Sequence, residues 1–143
     1  MVCQKYPVCQ EVVDLFQDPA IISSLEEMCE TDFTGGHLRI GYYSDKDGFF
    51  IAPHTDEYQV KMISIVIYLD APAEDLGIEM LDENFNIIKT MPSTANTAVI
   101  FLPAPNTWHQ ASMKPLSSPR KTLVINYVND KWCNKKQLCS GGD

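Results

Sequence analysis

The stretch that most constrains the fold is residues 60–69, Val-Lys-Met-Ile-Ser-Ile-Val-Ile-Tyr-Leu. Successive side chains of an extended chain point to opposite faces. Met62, Ser64, Val66 and Tyr68 then share one face, and Ile63, Ile65, Ile67 and Leu69 the other. Its apolar part, 62–69, is the longest such run in the sequence. It falls far short of the roughly 20 residues that a membrane helix needs, so it reads as a buried strand.

Seven further short runs rich in β-branched and aromatic residues accompany it, at 38–44, 49–53, 77–81, 85–91, 97–102, 108–112 and 122–128. Turn formers separate them, among them Asp45-Lys46-Asp47-Gly48, Asp82-Glu83-Asn84 and Pro103-Ala104-Pro105-Asn106. Residues 1–33 read differently. Val8, Val12, Val13, Leu15 and Phe16 recur at helical spacing, Asp18-Pro19 restarts the pattern, and Ile21, Ile22, Leu25, Met28 and Cys29 form a second apolar stripe. Eight short strands after a helical lead-in predict a mainly β chain. It would be a two-sheet jelly roll or barrel with short N-terminal helices packed on one sheet. The 143 residues suit one domain, with helical support at 1–33, a β core at 37–129 and a tail at 130–143.

The formal net charge of −8 disfavours a nucleic-acid surface and favours a neutral or cationic partner. The first ten residues carry no targeting pattern, which makes a cytoplasmic location, away from membranes, the default expectation. Five cysteines, Cys3, Cys9, Cys29, Cys133 and Cys139, do not close into a full disulfide set. The pairs Cys3/Cys9 and Cys133/Cys139 suggest a zinc clip joining the termini. Their five-residue gaps exceed the usual two to four, and no glycines shape a knuckle, so reduced, partly buried thiols are the preferred reading.

The chemistry concentrates at His54-Thr55-Asp56. On an extended segment an imidazole and a carboxylate two residues apart reach the same side, and both bind a cation at about 2.0–2.2 Å. His37 and His109 are the remaining histidines, and His109 opens a strand directly after a Pro-rich turn, at the rim of a sheet. The 53-residue interval from Asp56 to His109 suits a chain that travels around a barrel and returns beside its first ligand. Two histidines and one carboxylate on one face leave three octahedral positions open, the facial triad of non-haem Fe(II) sites. A lone His-x-Asp is common by chance; order, spacing and fold together give this one weight.

The pieces LRIGYYSDKDGFFIAPHTDE, KMISIVIYLD, GIEML, TANTAVIFLPAPNTWHQAS and PRKTLVINYV, in this order over about two-thirds of the chain, resemble the double-stranded β-helix (jelly-roll, cupin-like) core of the 2-oxoglutarate/Fe(II) dioxygenase superfamily, in its prolyl-hydroxylase-like branch. The resemblance implies Fe(II) held by His54, Asp56 and His109, 2-oxoglutarate as co-substrate, and O₂. It implies Arg120, 11 residues after His109, as anchor of the distal carboxylate, with Thr122 and Tyr68 beside it. A guanidinium fork suits that task because it offers two parallel charge-assisted bonds. Tyr43 resembles a further pocket tyrosine, and Tyr42 competes for that place. Trp108 beside His109 either walls the site or packs beneath it.

The implied activity is hydroxylation of an aliphatic C–H, releasing succinate and CO₂. A prolyl residue of a peptide or protein, or a small amino-acid-like metabolite, would be the substrate. A cupin-like barrel that binds a metal or small ligand without oxygenase chemistry is the rival reading, and an interaction domain with a degenerate site is a third. Two departures from the family pattern stand out. Leu76-Gly77-Ile78 replaces a Gly-Gly or Gly-Thr step, and Asn96 stands where a turn glycine is common. Asn tolerates the left-handed conformation such a turn needs.

Overall fold

The computed structural model describes residues 6–139. Two helices precede eight strands. Helix α1 (Pro7–Gln17) and helix α2 (Pro19–Cys29) both start on a proline, whose fixed φ suits a first helical turn. The Asp18 side chain caps α2 by accepting from the Ala20 amide at 2.8 Å. Glu30, in the left-handed conformation at φ 51°, ends it.

The strands are β1 (His37–Asp45), β2 (Ile51–His54), β3 (Lys61–Asp70), β4 (Glu79–Leu81), β5 (Ile87–Thr90), β6 (Thr97–Phe101), β7 (His109–Ala111) and β8 (Arg120–Val128). They form two four-stranded antiparallel sheets, ordered β1-β8-β3-β6 and β2-β7-β4-β5. The chain changes sheet at nearly every connection, so residues distant in sequence meet between the two layers.

All eight expected strands are present, with several bounds moved. The run expected at 85–91 pairs only from Ile87, because Asp82 gathers the Asn84 and Asn86 amides and the Asn86 side chain into a tight loop with Phe85 at φ 63°. The last strand starts earlier than expected, at Arg120, because its first two residues pair with Asp45 and Ser44 of β1. Asn96 does adopt the left-handed conformation, at φ 63°.

One face of the first sheet carries the apolar core. Leu38 of β1, Ile63 and Ile65 of β3, and Leu123, Ile125 and Tyr127 of β8 pack with Val13, Leu25 and Phe33 of the helical lead-in. Each fully buried aliphatic side chain there contributes roughly 1.5–3 kcal/mol. Phe33 and Tyr127 stack at 5.1 Å, and the Tyr127 hydroxyl donates to the Phe16 carbonyl. Burial pushes that phenol up to about 12.

Met62 corrects the simple alternation. A bulge between Lys61 and Ile63 shifts the register against β8. It turns Met62 to the helix side, next to Gly36 and the core, and sends Lys61 into the space between the sheets.

The free edge of β1 is covered by the segment after β8. Leu138 bridges Arg39, and the Cys139 amide donates to the Leu38 carbonyl at 2.8 Å. Cys9, Cys29 and Cys133 are free thiols, whereas Cys3, half of one suggested zinc pair, lies outside the described residues. Among the described residues no helix is long and apolar enough to cross a membrane.

Candidate active site

Strands β2 and β7 set His54 and His109 directly opposite one another, with ring centroids 4.3 Å apart. Asp56 follows two residues after His54, just beyond the end of β2. One ligand atom from each of the three residues lies within 4.8 Å of the others, and His54 Nε2 is 4.0 Å from Asp56 Oδ1. Both imidazoles are turned the same way. His54 Nδ1 lies 3.0 Å from the Ala52 carbonyl, and His109 Nδ1 lies 2.9 Å from the Thr107 carbonyl. A carbonyl only accepts, so each Nδ1 carries the proton and each Nε2 lone pair is free for a metal. The remaining histidine, His37, is elsewhere, bonded to Asp130 at 2.7 Å.

The electrostatics keep Asp56 and His109 in their metal-binding forms. Burial raises the Asp56 carboxyl, but hydrogen bonds from Lys61 at 2.7 Å and Ser64 at 2.6 Å, with the Lys61 charge, outweigh it and hold the pKa below its ordinary value. Burial lowers His109 and keeps it neutral, and the Thr107 carbonyl only partly opposes this. These residues fit a divalent cation with open coordination positions. The shell continues outward. Asn126 donates to the Ser64 hydroxyl at 2.9 Å, and Arg39 donates to Asn126 at 2.9 Å and lies 5.2 Å from the Trp132 ring.

From this cluster a cavity of about 300 Å³ runs between the sheets. Its floor is built in rows set by strand register. Ser64, Asn126 and Arg39 form one row; Tyr68, Thr122 and Tyr43 form another; Arg120 and Asp45 pair in the last. The cavity therefore brings His54, Asp56 and His109 together with Tyr68, Thr122, Tyr43 and Arg120. Tyr68 is fully buried, and its hydroxyl accepts from the Ile78 amide at 2.9 Å, leaving its own proton to donate inward. Burial raises its pKa. Tyr43 is half-exposed and reaches Arg39 at 3.3 Å, and Tyr42, which shares no row with it, does not line the cavity. Trp108 packs edge-on against Phe85 at 4.9 Å and is likewise absent from the lining.

Arg120 sits at the far end, buried and already paired. Its Nε and Nη2 donate to Asp45 Oδ2 at 3.0 and 2.8 Å, its Nη1 donates to the Leu76 carbonyl, and the Phe49 ring covers it at 5.2 Å. The residue patterns had not singled out Asp45, Lys61, Asn126 or Arg39. Asp45 had a signal, since an acidic residue in a turn two positions after Tyr43 shares its face. Lys61 had none, because only the bulge turns it inward.

The sequence matches no protein-family model and no curated protein. The fold is similar to that of a prolyl-4-hydroxylase from Pseudomonas putida, with a TM-score of 0.54 and 20% identity, over 77% of this chain and 63% of that one. It is also similar to an oxidoreductase of the 2OG-Fe(II) oxygenase family from Burkholderia pseudomallei, with a TM-score of 0.59 and 17% identity, over 83% and 57% of the two chains. The chain thus spans less than two-thirds of the length of either structure. It has the fold of the prolyl-hydroxylase-like 2OG-Fe(II) oxygenases.

Proposed function

We propose that this chain is an Fe(II)- and 2-oxoglutarate-dependent oxygenase that hydroxylates an aliphatic C–H, built on a double-stranded β-helix. The observation that carries the reading is the pairing of His54 with His109 across β2 and β7, both Nε2 atoms free and the Asp56 carboxylate alongside. The strand orders β1-β8-β3-β6 and β2-β7-β4-β5 support it. His54, Asp56 and His109 would hold Fe(II), which supplies the redox chemistry coupling O₂ and decarboxylation of a 2-oxo acid to oxidation of a C–H bond.

The chain's own residues do the positioning. Arg120 and Thr122 receive the distal carboxylate of 2-oxoglutarate, and the Tyr68 hydroxyl donates toward it. Lys61 and Ser64 fix the Asp56 carboxylate, and the two sheets exclude water from the inner end. Tyr43, half-exposed in the same row as Tyr68 and Thr122, would line the co-substrate's place from its outer side. A prolyl residue of a peptide, or a small amino-acid-like metabolite, is the substrate class we favour. The net charge of −8 favours a neutral or basic one.

A metal- or ligand-binding barrel without oxygenase chemistry needs the same triad and no free Arg120. The Asp45–Arg120 pair is the one observation that favours it. Anaerobic addition of Fe(II) and 2-oxoglutarate separates the two readings. The oxygenase gives a metal-to-ligand charge-transfer band, and Arg120→Gln weakens 2-oxoglutarate far more than iron. Normal iron binding with no band would leave the non-oxygenase barrel standing.

A further inference from the structure

Arg120 and Asp45 face one another as register partners of β8 and β1, and both are 7% exposed. A guanidinium has five N–H groups. Asp45 Oδ2 takes Nε and Nη2, the Leu76 carbonyl takes Nη1, and two N–H groups remain. The side-on edge best suited to a carboxylate is therefore filled by a carboxylate of the chain itself, and the pair carries no net charge. The turn that follows Asp45 is also held in place. Asp47 of the same turn accepts the Leu116 amide at 2.9 Å, and Phe49 lies over the guanidinium.

We propose that Asp45 is an internal counter-ion that restrains carboxylate binding at Arg120 and so sets how strongly the cavity prefers a dicarboxylate over a monocarboxylate. An entering carboxylate meets Asp45 in one of two ways. It binds the two remaining N–H groups beside a negative charge, or it displaces Asp45 and leaves that charge buried. Both lower its affinity relative to an unpaired arginine. Asn at this position keeps the shape and an oxygen acceptor but drops the charge, so it frees the anchor without dismantling it. The inference rests on the proposed function in taking the Arg120 end of the cavity as the place of the distal carboxylate.

Glutarate, a dicarboxylate with no keto group to chelate iron, tests this in the metal-free protein by calorimetry and thermal melts. Asp45→Asn binds glutarate roughly tenfold or more tightly than the wild type, and Asp45→Asn/Arg120→Gln loses the gain. Equal or weaker binding by Asp45→Asn overturns the proposal, because Asp45 would then hold Arg120 in place instead of competing for it. Asp45→Ser, which also removes the charge, should show the same direction. If neither variant folds at any glutarate concentration, Asp45 is a structural necessity and the proposal fails too. A wild-type protein without the iron/2-oxoglutarate band would sink the oxygenase reading and leave the glutarate comparison unaffected.

Discussion

His54 and His109 meet as a cross-strand pair, one from each of two short strands 55 positions apart in sequence, with ring centroids 4.3 Å apart. Such a pair has little reason to face itself in a metal-free core, since two polar rings there gain less than two aliphatic ones. His54→Ala should lower affinity for Fe(II), or Mn(II) as a redox-silent probe, by at least roughly 100-fold, judged by loss of a ligand compared with the 10–100-fold of an outer-shell change. His54 is half-buried, and its ring hydrogen-bonds a carbonyl of its own chain two residues back, so the metal-free melting temperature should hardly move. Isothermal titration and a thermal scan of the same sample read both quantities.

Ser64 touches Asp56 and Asn126 and no candidate ligand atom of the histidines. Ser64→Ala removes the 2.6 Å bond that fixes one carboxylate oxygen. Metal affinity should fall by about 10–100-fold while the triad stays complete. An unchanged affinity would mean that Lys61 alone orients the carboxylate.

Much of this arrangement could be read from the sequence because its determinants are local. The period-two pattern of β3 places Ser64, Val66 and Tyr68 on one face, and the His-x-Asp spacing places two ligands together. The rest depends on pairings that no local pattern encodes. Met62 and Lys61 exchanged sides because of one bulge, and whether a strand bulges depends on its neighbour. Asp45 looked like an ordinary turn residue after Tyr43; only the β1–β8 register sets it against Arg120. The role of Gly77 was equally hidden, since it lies in the approach of backbone 14 residues later, just past the end of β5.

A Cβ at Gly77 would collide with the Met91 carbonyl and stand 3.2 Å from the Tyr68 hydroxyl. Met91 is fixed by the hydrogen bond that its amide donates to the Ile78 carbonyl at 2.9 Å, so the backbone itself must shift. Gly77→Ala should destabilise the fold by about 1–3 kcal/mol. It should also weaken 2-oxoglutarate more than metal, because the shift pulls the Ile78 amide off Tyr68. Chemical denaturation gives the first number, and titration of the two ligands gives the second.

Glu79 is the deepest carboxylate in the second sheet, 1% exposed. Burial raises its pKa, but Ser112 at 2.7 Å, Gln110 at 2.8 Å and Lys114 at 3.0 Å outweigh that and hold it below the ordinary 4.5. The unfolded chain therefore binds a proton here before the folded chain does. The stabilisation is complete above pH 4.5 and is lost as the pH falls through the lower, folded value. Glu79→Gln should flatten this acid limb of the stability curve. At neutral pH it should also lower stability, because Lys114 loses a buried partner; removing one member of a buried pair costs about 3–5 kcal/mol, and the partial exposure of Lys114 places this case at the lower end. Urea midpoints collected from pH 3 to pH 7 on the metal-free protein separate the two effects, and an unchanged acid limb in Glu79→Gln would assign the acid sensitivity to other carboxylates.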